Sequence, residues 1–409
     1  MKIFDDKLNI SISILGFIYS IFKYFRKHFY YREWKPHHFV IFIPFFILLY
    51  SWEGNMKDFI SIKDLTKEEV LEVLNLALEL SENPEPELIS GKIVGSLFFE
   101  PSTRTRLSFT SAAYRIGGKV LGFDSPDATS VKKGESLRDT VKMVEAYSDI
   151  IVMRHNIEGG PKFASEISKN PVINAGDGSN EHPSQTLLDL FTIKKELGKI
   201  EGVKIAFVGD LKYGRTVHSL TKALEMFDAE FYFVAPDSIQ VPEYITKELD
   251  EKGMKYHICS EYEPILSEID VLYMTRIQKE RFEDIEEFNK VSGVYKISKD
   301  TIVGKCQDHM IVMHPLPRVD EINIDLDDTK HALYFKQAAN GVPVREAMFA
   351  LALGAKKSTA PVKEEKNVEE NNKVVCSNHK CVTHFEETTN KVIVKDYGKF
   401  CYYCGKEIK

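Results

Sequence analysis

Residues 98–108 read FFEPSTRTRLS and stand at the end of the apolar run Ile93–Phe99. The apolar run predicts a buried strand and the residues after Pro101 predict a helix, so this stretch lies where a strand ends and a helix begins. A helix N-terminus presents unpaired N–H groups and the positive end of the helix dipole. Hydroxyl and guanidinium donors stand at the same place: Ser102, Thr103, Arg104 and Thr105. The pattern predicts a phosphate-binding site, with an ordinary helix cap and surface arginines as the alternative.

The order of the apolar runs predicts the fold class. From residue 56 onward, short runs that predict strands alternate with stretches that predict helices, as at Ser61–Leu80 and Ser184–Leu197. The predicted strands are Ile93–Phe99, Lys119–Phe123, Ile150–Met153, Val172–Asn174, Val203–Val208, Phe231–Ala235, Asp270–Tyr273 and Ile311–Met313. Such alternation is typical of parallel sheets covered by helices. We therefore predict an α/β protein with two doubly wound parallel-sheet domains, residues 56–190 and 191–353, and a ligand site in the cleft at the carboxyl ends of their strands.

Four further motifs follow along the chain. They are H-P-S-Q at 182–185, G-D-L-K-Y-G-R at 209–215, M-T-R-I-Q at 274–278 and H-P-L-P-R at 314–318. With the stretch at 98–108 they resemble the aspartate and ornithine carbamoyltransferase family, from about Met56 to about Leu353. The H-P-L-P-R form resembles the aspartate branch, because the ornithine enzymes carry a cysteine-containing version.

The resemblance implies an activity. It is transfer of the carbamoyl group of carbamoyl phosphate to L-aspartate, which gives N-carbamoyl-L-aspartate and phosphate in de novo pyrimidine biosynthesis, in the cytoplasm. A transferase for ornithine or another amine is the nearest alternative. A non-catalytic subunit that binds partners is an alternative of another class. No catalytic metal and no organic cofactor are expected, since the amine of aspartate can attack directly and the departing phosphate can take its proton.

The resemblance also implies which residues hold carbamoyl phosphate. The set is Ser102, Thr103, Arg104, Thr105, Arg154, His182, Gln185 and the backbone carbonyls of Leu316 and Pro317. Within it, catalysis is assigned to Arg104, Thr105, Arg154 and His182. A neutral imidazole beside a carbonyl oxygen acts as an oxyanion-type donor.

Aspartate brings two carboxylates, which planar guanidinium groups bind through two hydrogen bonds at once. By resemblance, the residues that hold it are Lys133, Arg215, Arg276 and Gln278. The family also pairs the two domains across the cleft when it closes, and the matching residues here are Glu100, Arg215 and Arg281.

The polar loop TSVKKGE at 129–135 matches a family loop that reaches into the neighbouring subunit's site with one serine and one lysine. Ser130 and Lys133 are the residues matched to it, and Thr129 and Lys132 are alternatives to them. Sites shared in this way imply a homotrimer or a higher homo-oligomer. A solvated surface turn is the alternative interpretation of the loop.

The C-terminal end of the chain differs in composition from the rest. Residues 354–373 are rich in charge and predict a flexible linker, and residues 374–409 carry four cysteines in closely spaced pairs, Cys376, Cys381, Cys401 and Cys404. This spacing predicts a structural zinc ion, one per chain, in a small β domain like a zinc ribbon, rather than disulfides. The domain is similar to the zinc domain of the separate regulatory chain of aspartate carbamoyltransferase, here fused to a catalytic chain. His379 and His384 are expected to be bystanders.

Residues 1–55 do not match the family pattern. The purine-rich codons that Trp52–Asn55 allow before Met56 resemble a ribosome-binding sequence, so we interpret 1–55 as an over-extended reading frame, with a real extension as the alternative. Its two apolar runs, Ser11–Phe25 and Phe39–Tyr50, are both shorter than the roughly 20 residues that span a bilayer, so a membrane anchor is not expected. The net charge of −7 argues against nucleic acid as a partner.

Overall fold

The computed structural model describes residues 57–277, 282, 284–361, 363, 367–370, 376–389, 391–395 and 398–408. The predictions for residues 1–55, for Gln278 and for Arg281 lie outside these ranges. Within them, no helix is long and apolar enough to cross a membrane.

The first sheet has four parallel strands in the order β2–β1–β3–β4. Its strands are β1 (Ile93–Phe98), β2 (Lys119–Phe123), β3 (Ile150–His155) and β4 (Val172–Asp177). The helices around it are α1 (Lys67–Glu82), α2 (Thr103–Arg115), α3 (Leu137–Glu145), α4 (Gly160–Ile167) and α5 (Pro183–Leu197). Strands β3 and β4 are buried along their whole length, as expected for a parallel sheet covered on both faces.

The second sheet has five parallel strands in the order β7–β6–β5–β8–β9. Its strands are β5 (Lys204–Val208), β6 (Glu230–Val234), β7 (Tyr256–Cys259), β8 (Val271–Met274) and β9 (Ile311–Met313). The helices that follow α5 are α6 (Arg215–Leu224), α7 (Glu243–Glu251), α8 (Ile285–Val291), α9 (Lys299–Ile302) and α10 (Tyr334–Ala352). The predicted α/β class with two parallel sheets is confirmed, and β7 is a strand that the apolar runs did not reveal, because half of it is exposed.

Helix α10 returns from the second sheet to the first. It packs against α1, α2 and α5, and its last half, Val344–Ala352, is buried. One continuous apolar core includes residues of both sheets and of this helix. The two sheets are thereby held with their carboxyl ends around one cavity.

The first predicted helix is divided in the structure. Ser61 caps a short 3-10 turn at Ile62–Asp64, and Thr66 then caps α1 through a reciprocal pair of hydrogen bonds with Glu69. The prediction of a single capped helix from Ser61 to Leu80 was therefore wrong about where the helix begins. Two residues that can cap a helix, Ser61 and Thr66, lie within six positions, and the helix begins after the second.

The C-terminal domain is an antiparallel sheet in the order β10–β11–β12–β13. Its strands are β10 (Val368–Glu370), β11 (Lys391–Lys395), β12 (Gly398–Cys401) and β13 (Glu407–Ile408). Strand β10 belongs to the segment predicted as a flexible linker. Earlier in that segment, the backbone N–H of Thr359 donates to Glu72 of α1 at 2.7 Å. The described part of the linker is therefore attached at both ends.

The C-terminal domain packs on the first sheet's domain of the same chain. A parallel bridge joins Glu158 to Cys381, with the N–H of Glu158 donating to the carbonyl of Lys380 at 2.9 Å. The buried Glu158 carboxylate accepts from Asn378 at 2.8 Å and pairs with Lys406 at 2.9 Å. Glu158 thus joins the domain through backbone and side chain together.

Two more acidic residues complete this interface. Glu166 at the end of α4 accepts a hydrogen bond from the hydroxyl of Tyr403 at 2.6 Å. The second acidic residue, Glu386, belongs to the C-terminal domain. Its carboxylate accepts at 2.7 Å from the backbone N–H of Leu137, the first residue of α3. The four cysteines share an apolar cluster with residues of the first domain, among them Leu137 and Phe163.

Candidate active site

A cavity of about 400 Å³ lies between the carboxyl ends of the two sheets. Ten of the residues predicted to bind substrates or close the site line it: Glu100, Ser102, Thr103, Arg104, Thr105, Arg154, His182, Gln185, Arg215 and Arg276, together with the backbone segment of Leu316 and Pro317. Predicted residues from five separate motifs therefore meet in one place. The chain as a whole is anionic, but several guanidinium groups line this cavity. The cavity is therefore a local site for anions.

The stretch that follows β1 enters the cavity as predicted. Helix α2 begins at Thr103, and Ser102 is its cap residue but makes no side-chain capping bond. Instead, the Ser102 hydroxyl donates to the Thr105 hydroxyl at 3.0 Å. The alternative of an ordinary helix cap is wrong, and the first N–H groups of α2 stay available to a ligand.

Two arginines stand beside this helix start. Arg154, at the end of β3, is buried, donates to the carbonyl of Ala175 at 3.2 Å and pairs with Glu100 at 3.1 Å. Burial and the nearby Arg154 charge lower the pKa of Arg104, and burial lowers the pKa of Arg154. Two cations held close together in a partly dry site favour binding of a dianion such as phosphate.

His182 is the cap residue of α5 and is buried at 5 % exposure. Burial lowers its pKa well below the ordinary value of 6.5, and the charges of Arg215, Arg154 and Arg345 lower it further. The imidazole is therefore neutral at physiological pH. A neutral ring has one N–H, which can donate to a carbonyl oxygen.

Gln185 stands one turn into α5 and donates its amide nitrogen to Asp189 at 2.9 Å. The same carboxylate accepts from Gln337 at 2.6 Å and from the hydroxyl of Tyr273 at 2.8 Å. Because its nitrogen is engaged in this network, the amide oxygen is the group that Gln185 can offer to a ligand's NH₂. Burial raises the pKa of Asp189 to about 7.

The second domain contributes its two arginines from strand ends. Arg215 begins α6 after β5 and donates to the backbone carbonyl of Gly178, and Arg276 follows β8. Both line the same cavity as the phosphate motif. Two guanidinium groups on this side match the two carboxylates that aspartate carries.

The loop of His314–Arg318 closes the cavity from a third side. Leu316 adopts φ of 55°, a left-handed conformation that costs an L-residue about 1–2 kcal/mol, and a cis peptide bond joins it to Pro317. The N–H of Leu316 donates to Nδ1 of His314 at 2.8 Å, and Nε2 of that ring contacts Glu321 at 2.7 Å. These contacts hold the backbone of the loop against the cavity.

Arg345 and Gln337 were missed by the sequence analysis. Both stand on α10, far along the chain from every motif, and both line the cavity. Arg345 is 3 % exposed, and its guanidinium lies over the ring of Phe109 at 4.7 Å. For Arg345, the available signal was the charged pair Arg345 and Glu346 inside the otherwise apolar stretch 341–352.

The loop with Ser130 and Lys133 is a 3-10 turn at Ser130–Lys133 that ends at Gly134 in a left-handed conformation. Within the described part of the chain, neither side chain is among those that line the cavity. The hydroxyl of Thr129 donates to the carbonyl of Pro126 at 2.7 Å, and Lys132 pairs with Asp127 at 3.2 Å. Thr129 and Lys132, the two alternatives, are thus engaged inside the loop itself.

The four C-terminal cysteines come together as a second candidate site. Their sulfur atoms all lie within 4.8 Å of one another and all four residues are buried. The sulfurs of Cys376 and Cys404 are 3.5 Å apart and those of Cys381 and Cys401 are 3.7 Å apart. A disulfide requires about 2.05 Å, whereas four thiolates around one zinc ion stand about 3.8 Å apart. The spacing therefore fits a metal. Nε2 of His384 contacts the carbonyl of Cys376 at 2.7 Å.

Comparison with known proteins bears directly on this arrangement. Residues 57–195 match the carbamoyl-phosphate-binding domain of the aspartate/ornithine carbamoyltransferases, and residues 201–352 match their aspartate/ornithine-binding domain. The aspartate carbamoyltransferase catalytic subunit of Brachyspira hyodysenteriae is 64% identical over 357 residues, which are 86% of this chain and 99% of that one. That of Thermococcus kodakarensis is 54% identical over 308 residues, 74% of this chain and 98% of that one.

Solved structures agree. The catalytic subunit of Methanocaldococcus jannaschii aspartate transcarbamoylase aligns with a TM-score of 0.69 and 52% identity over 73% of this chain and 98% of that one. The Trypanosoma cruzi enzyme, solved with N-(phosphonacetyl)-L-aspartic acid, aligns with a TM-score of 0.68 and 36% identity over 73% of this chain and 96% of that one. The matching motifs, the shared cavity and these relatives lead to one conclusion: the chain belongs to the family of aspartate carbamoyltransferase catalytic subunits.

Proposed function

We propose that this protein transfers the carbamoyl group of carbamoyl phosphate to L-aspartate, giving N-carbamoyl-L-aspartate and phosphate. The observation that carries the proposal is the single cavity in which a phosphate-type helix start faces two guanidinium groups of the other domain. A phosphate donor and a dicarboxylate acceptor fit the two sides. We place the reaction in the cytoplasm, as an early step of de novo pyrimidine biosynthesis.

At the phosphate side, the N–H groups at the start of α2 and the side chains of Ser102, Thr103 and Thr105 bind the phosphate oxygens. Arg104 faces the bridging oxygen, where negative charge develops as the C–O bond breaks. Arg154 contacts both phosphate and carbonyl oxygen. His182 donates to the carbonyl oxygen, which becomes more negative in the tetrahedral intermediate.

At the amine side, Arg215 and Arg276 hold the two carboxylates of aspartate, with Gln278 beside them. The amine nitrogen forms a bond to the carbamoyl carbon, the bond from that carbon to the phosphate oxygen breaks, and the departing phosphate takes the amine proton. The backbone carbonyls of Leu316 and Pro317 orient the nitrogens. Catalysis is positioning and electrostatics, for which oriented reactants contribute about 7–11 kcal/mol and one oxyanion donor about 3–4 kcal/mol.

Domain closure completes this site in our proposal. Glu100 now pairs with Arg154 in its own domain, at 3.1 Å. We propose that aspartate binding releases this pair, so that Glu100 contacts Arg215 and Arg281 across the cleft while Arg154 turns to the substrate. Glu100→Gln should then lower aspartate affinity and kcat together and spare carbamoyl phosphate binding. Unchanged steady-state kinetics would refute closure through Glu100.

We further propose a homotrimer or a higher homo-oligomer in which Ser130 and Lys133 act in a neighbour's site. Two observations support sharing: both side chains stand outside their own chain's cavity, and the internal contacts of Thr129 and Lys132 leave Ser130 and Lys133 as the pair to reach outward. The helices on either side of the loop, and the residues just after α3, also expose apolar side chains: Leu107 and Tyr114 on α2, Met143 on α3, and Tyr147 after it. Such exposure suits contact with a second copy of the chain.

For the C-terminal domain we propose one structural zinc ion, held by Cys376, Cys381, Cys401 and Cys404. Four thiolates leave no open position for catalysis. We propose that the domain is a regulatory-chain-like zinc domain fused to the catalytic chain. The four-cysteine cluster supports this, and the 357-residue match to the Brachyspira subunit is longer than the span of 57–352 that the two family models match.

The activity is tested by supplying carbamoyl phosphate with aspartate or with ornithine. We expect carbamoylaspartate from the first amine and no citrulline from the second. Citrulline without carbamoylaspartate would overturn the choice of acceptor, and the absence of both products from folded, oligomeric protein would overturn the enzyme proposal.

A further inference from the structure

Ser184, the second residue of α5, is completely buried beside His182. Its hydroxyl oxygen lies 3.3 Å from Nδ1 of the His182 ring. Either atom can donate in this contact, because the neutral ring exists in two tautomers. What stands on the other side of Ser184 therefore decides the direction.

The group on the other side is Arg345 of α10. Nη2 of its guanidinium donates to the Ser184 hydroxyl oxygen at 3.4 Å, and Nη1 donates to the Ser108 hydroxyl at 2.8 Å. A guanidinium has five N–H donors, no acceptor, and keeps its charge in proteins. Towards Arg345, Ser184 can only accept.

The direction of the second hydrogen bond follows. Since Ser184 accepts from Arg345, its own proton points to an acceptor, and among the described contacts that acceptor is Nδ1 of His182. We infer that Arg345 and Ser184 are positioning residues that keep the proton of His182 on Nε2, and so make the histidine a donor to the reacting carbonyl. This inference rests on the proposed function and deepens it.

The opposite tautomer is unfavourable at both edges of the ring. An N–H at Nδ1 would have to donate to Ser184, and the serine proton would then lose its described acceptor in a buried place. A buried donor without an acceptor is destabilising, because its desolvation is not compensated. At the other edge, the lone pair of Nε2 would repel the carbonyl oxygen of the carbamoyl group.

A doubly protonated His182 ring would donate from both nitrogens and would not need a fixed tautomer, but this form is disfavoured here. Burial and the three arginines near His182 disfavour the imidazolium form, so the choice lies between the two neutral tautomers. The orienting group in this site is a cation acting through a hydroxyl, rather than a carboxylate. A carboxylate would accept from Nδ1–H, which leaves Nε2 of the neutral ring without a proton. It would also stabilise the imidazolium form, which adds a further positive charge beside the arginines of the phosphate site.

The decisive measurement is the ¹H–¹⁵N spectrum of histidine-labelled protein above pH 7, with the His182 signals identified by their loss in His182→Asn. We expect a protonated Nε2 and an unprotonated Nδ1. A proton on Nδ1 overturns the inference, whatever the activity. This readout also separates it from the proposed function, since an inactive protein with the expected tautomer would reject the reaction and not the hydrogen-bond chain.

Two variants at one position provide the kinetic test. Ser184→Ala removes the hydroxyl, and we expect mixed tautomers and a kcat lowered by about tenfold, part of the roughly 10²–10³ that a whole oxyanion donor contributes, with KM for aspartate changed less than twofold. Ser184→Thr keeps the hydroxyl and should restore both the spectrum and kcat. An alanine variant with the wild-type spectrum and kcat, at an unchanged thermal midpoint, overturns the inference. If Ser184→Ala fails to fold, the wild-type spectrum alone decides.

Discussion

At the scale of single residues, the site depends on guanidinium groups that are held close together without full neutralisation. Arg104 stands at the start of α2, where burial and the positive charge of Arg154 lower its pKa, so the two cations destabilise each other. A phosphate supplies the missing charge. The energy of bringing cations together in the folded protein is thus recovered when substrate binds.

We predict that Arg104→Ala abolishes turnover and leaves the fold intact, with kcat lowered at least a hundredfold because a donor at the developing charge is lost. The matched control is Arg106→Ala, two residues along the same helix, where the side chain pairs with Asp124 at 3.4 Å outside the cavity. Steady-state kinetics and circular dichroism check both. An Arg104→Ala enzyme within about tenfold of wild type, a loss of only ~1.4 kcal/mol, would rule the role out.

His155 makes stability depend on pH. It is buried against the ring of Phe99, and burial lowers its pKa from 6.5 to about 4. Below pH 6.5 the unfolded chain binds a proton at this residue that the folded chain does not, so the free energy of unfolding falls as pH drops from 6.5 to about 4. The fall amounts to about 3 kcal/mol at most.

We therefore expect the thermal midpoint to drop between pH 7.5 and pH 5 in wild type, and to drop less in His155→Gln, whose side chain does not titrate. His309→Gln serves as control, because that ring is half exposed and pairs with Asp270. Equal pH dependence in wild type and His155→Gln would show that burial of this ring does not set the acid sensitivity.

At the scale of elements, the loop after β2 is a predicted part of the site that, among the described residues, does not line the chain's own cavity. Its turn is short, with a left-handed Gly134 at its end, and it leads directly into α3. The start of α3 is fixed by Glu386 of the C-terminal domain at 2.7 Å. A loop attached in this way is held in position, as the proposed sharing of sites between chains requires.

We predict that Lys133 acts in the neighbour's site. Inactive Lys133→Ala oligomers, dissociated and reassembled with inactive Arg104→Ala oligomers, should recover activity, because some hybrid sites carry neither lesion. The same mixture with Lys132→Ala in place of Lys133→Ala distinguishes the two lysines. Absence of recovery in hybrids verified by mass spectrometry would mean that each site is built from one chain.

At the scale of the whole molecule, three sheets are joined by contacts that are far apart in sequence. Helix α10 connects the two parallel sheets, and Glu158 and Glu166 connect the first of them to the C-terminal domain. A domain of so few residues buries too little apolar surface to fold without a metal or a partner surface. Here it has both a four-cysteine site and a docking face.

We predict one zinc ion per chain. The metal should stabilise the C-terminal domain, and that domain should stabilise the oligomer. Cys401→Ser should release zinc, lower the thermal midpoint and shift the oligomer towards smaller species, while the substrate motifs stay folded. Cys306→Ser, at a partly buried cysteine of the second domain, should change neither metal content nor assembly. Metal analysis and analytical ultracentrifugation test this, and protein purified without chelators that holds no zinc would contradict it.

Much of this molecule follows from its sequence. The alternation of apolar runs predicted two parallel sheets, because strand and helix periodicities are local properties, and eight of the nine parallel strands were found to within a few residues. The residues proposed to bind phosphate and carboxylates were named from the family resemblance, and the motifs that carry them follow strand ends, where parallel sheets place their ligands. The cysteine spacing predicted a metal-binding cluster for a similar reason, since two ligands a few residues apart in sequence are close together in most local conformations.

Only the tertiary structure decided what depends on distant contacts. Arg345 and Gln337 reach the cavity because α10 returns across the first domain, and no motif marks them. The docking of the C-terminal domain on Glu158 and Glu166, the present pairing of Glu100 with Arg154, and the hydrogen-bond chain to His182 were likewise invisible in the sequence. Local pattern determines which elements form and which side chains can do chemistry. The directions of hydrogen bonds and the partners of buried charges are set only when elements far apart in the chain pack together.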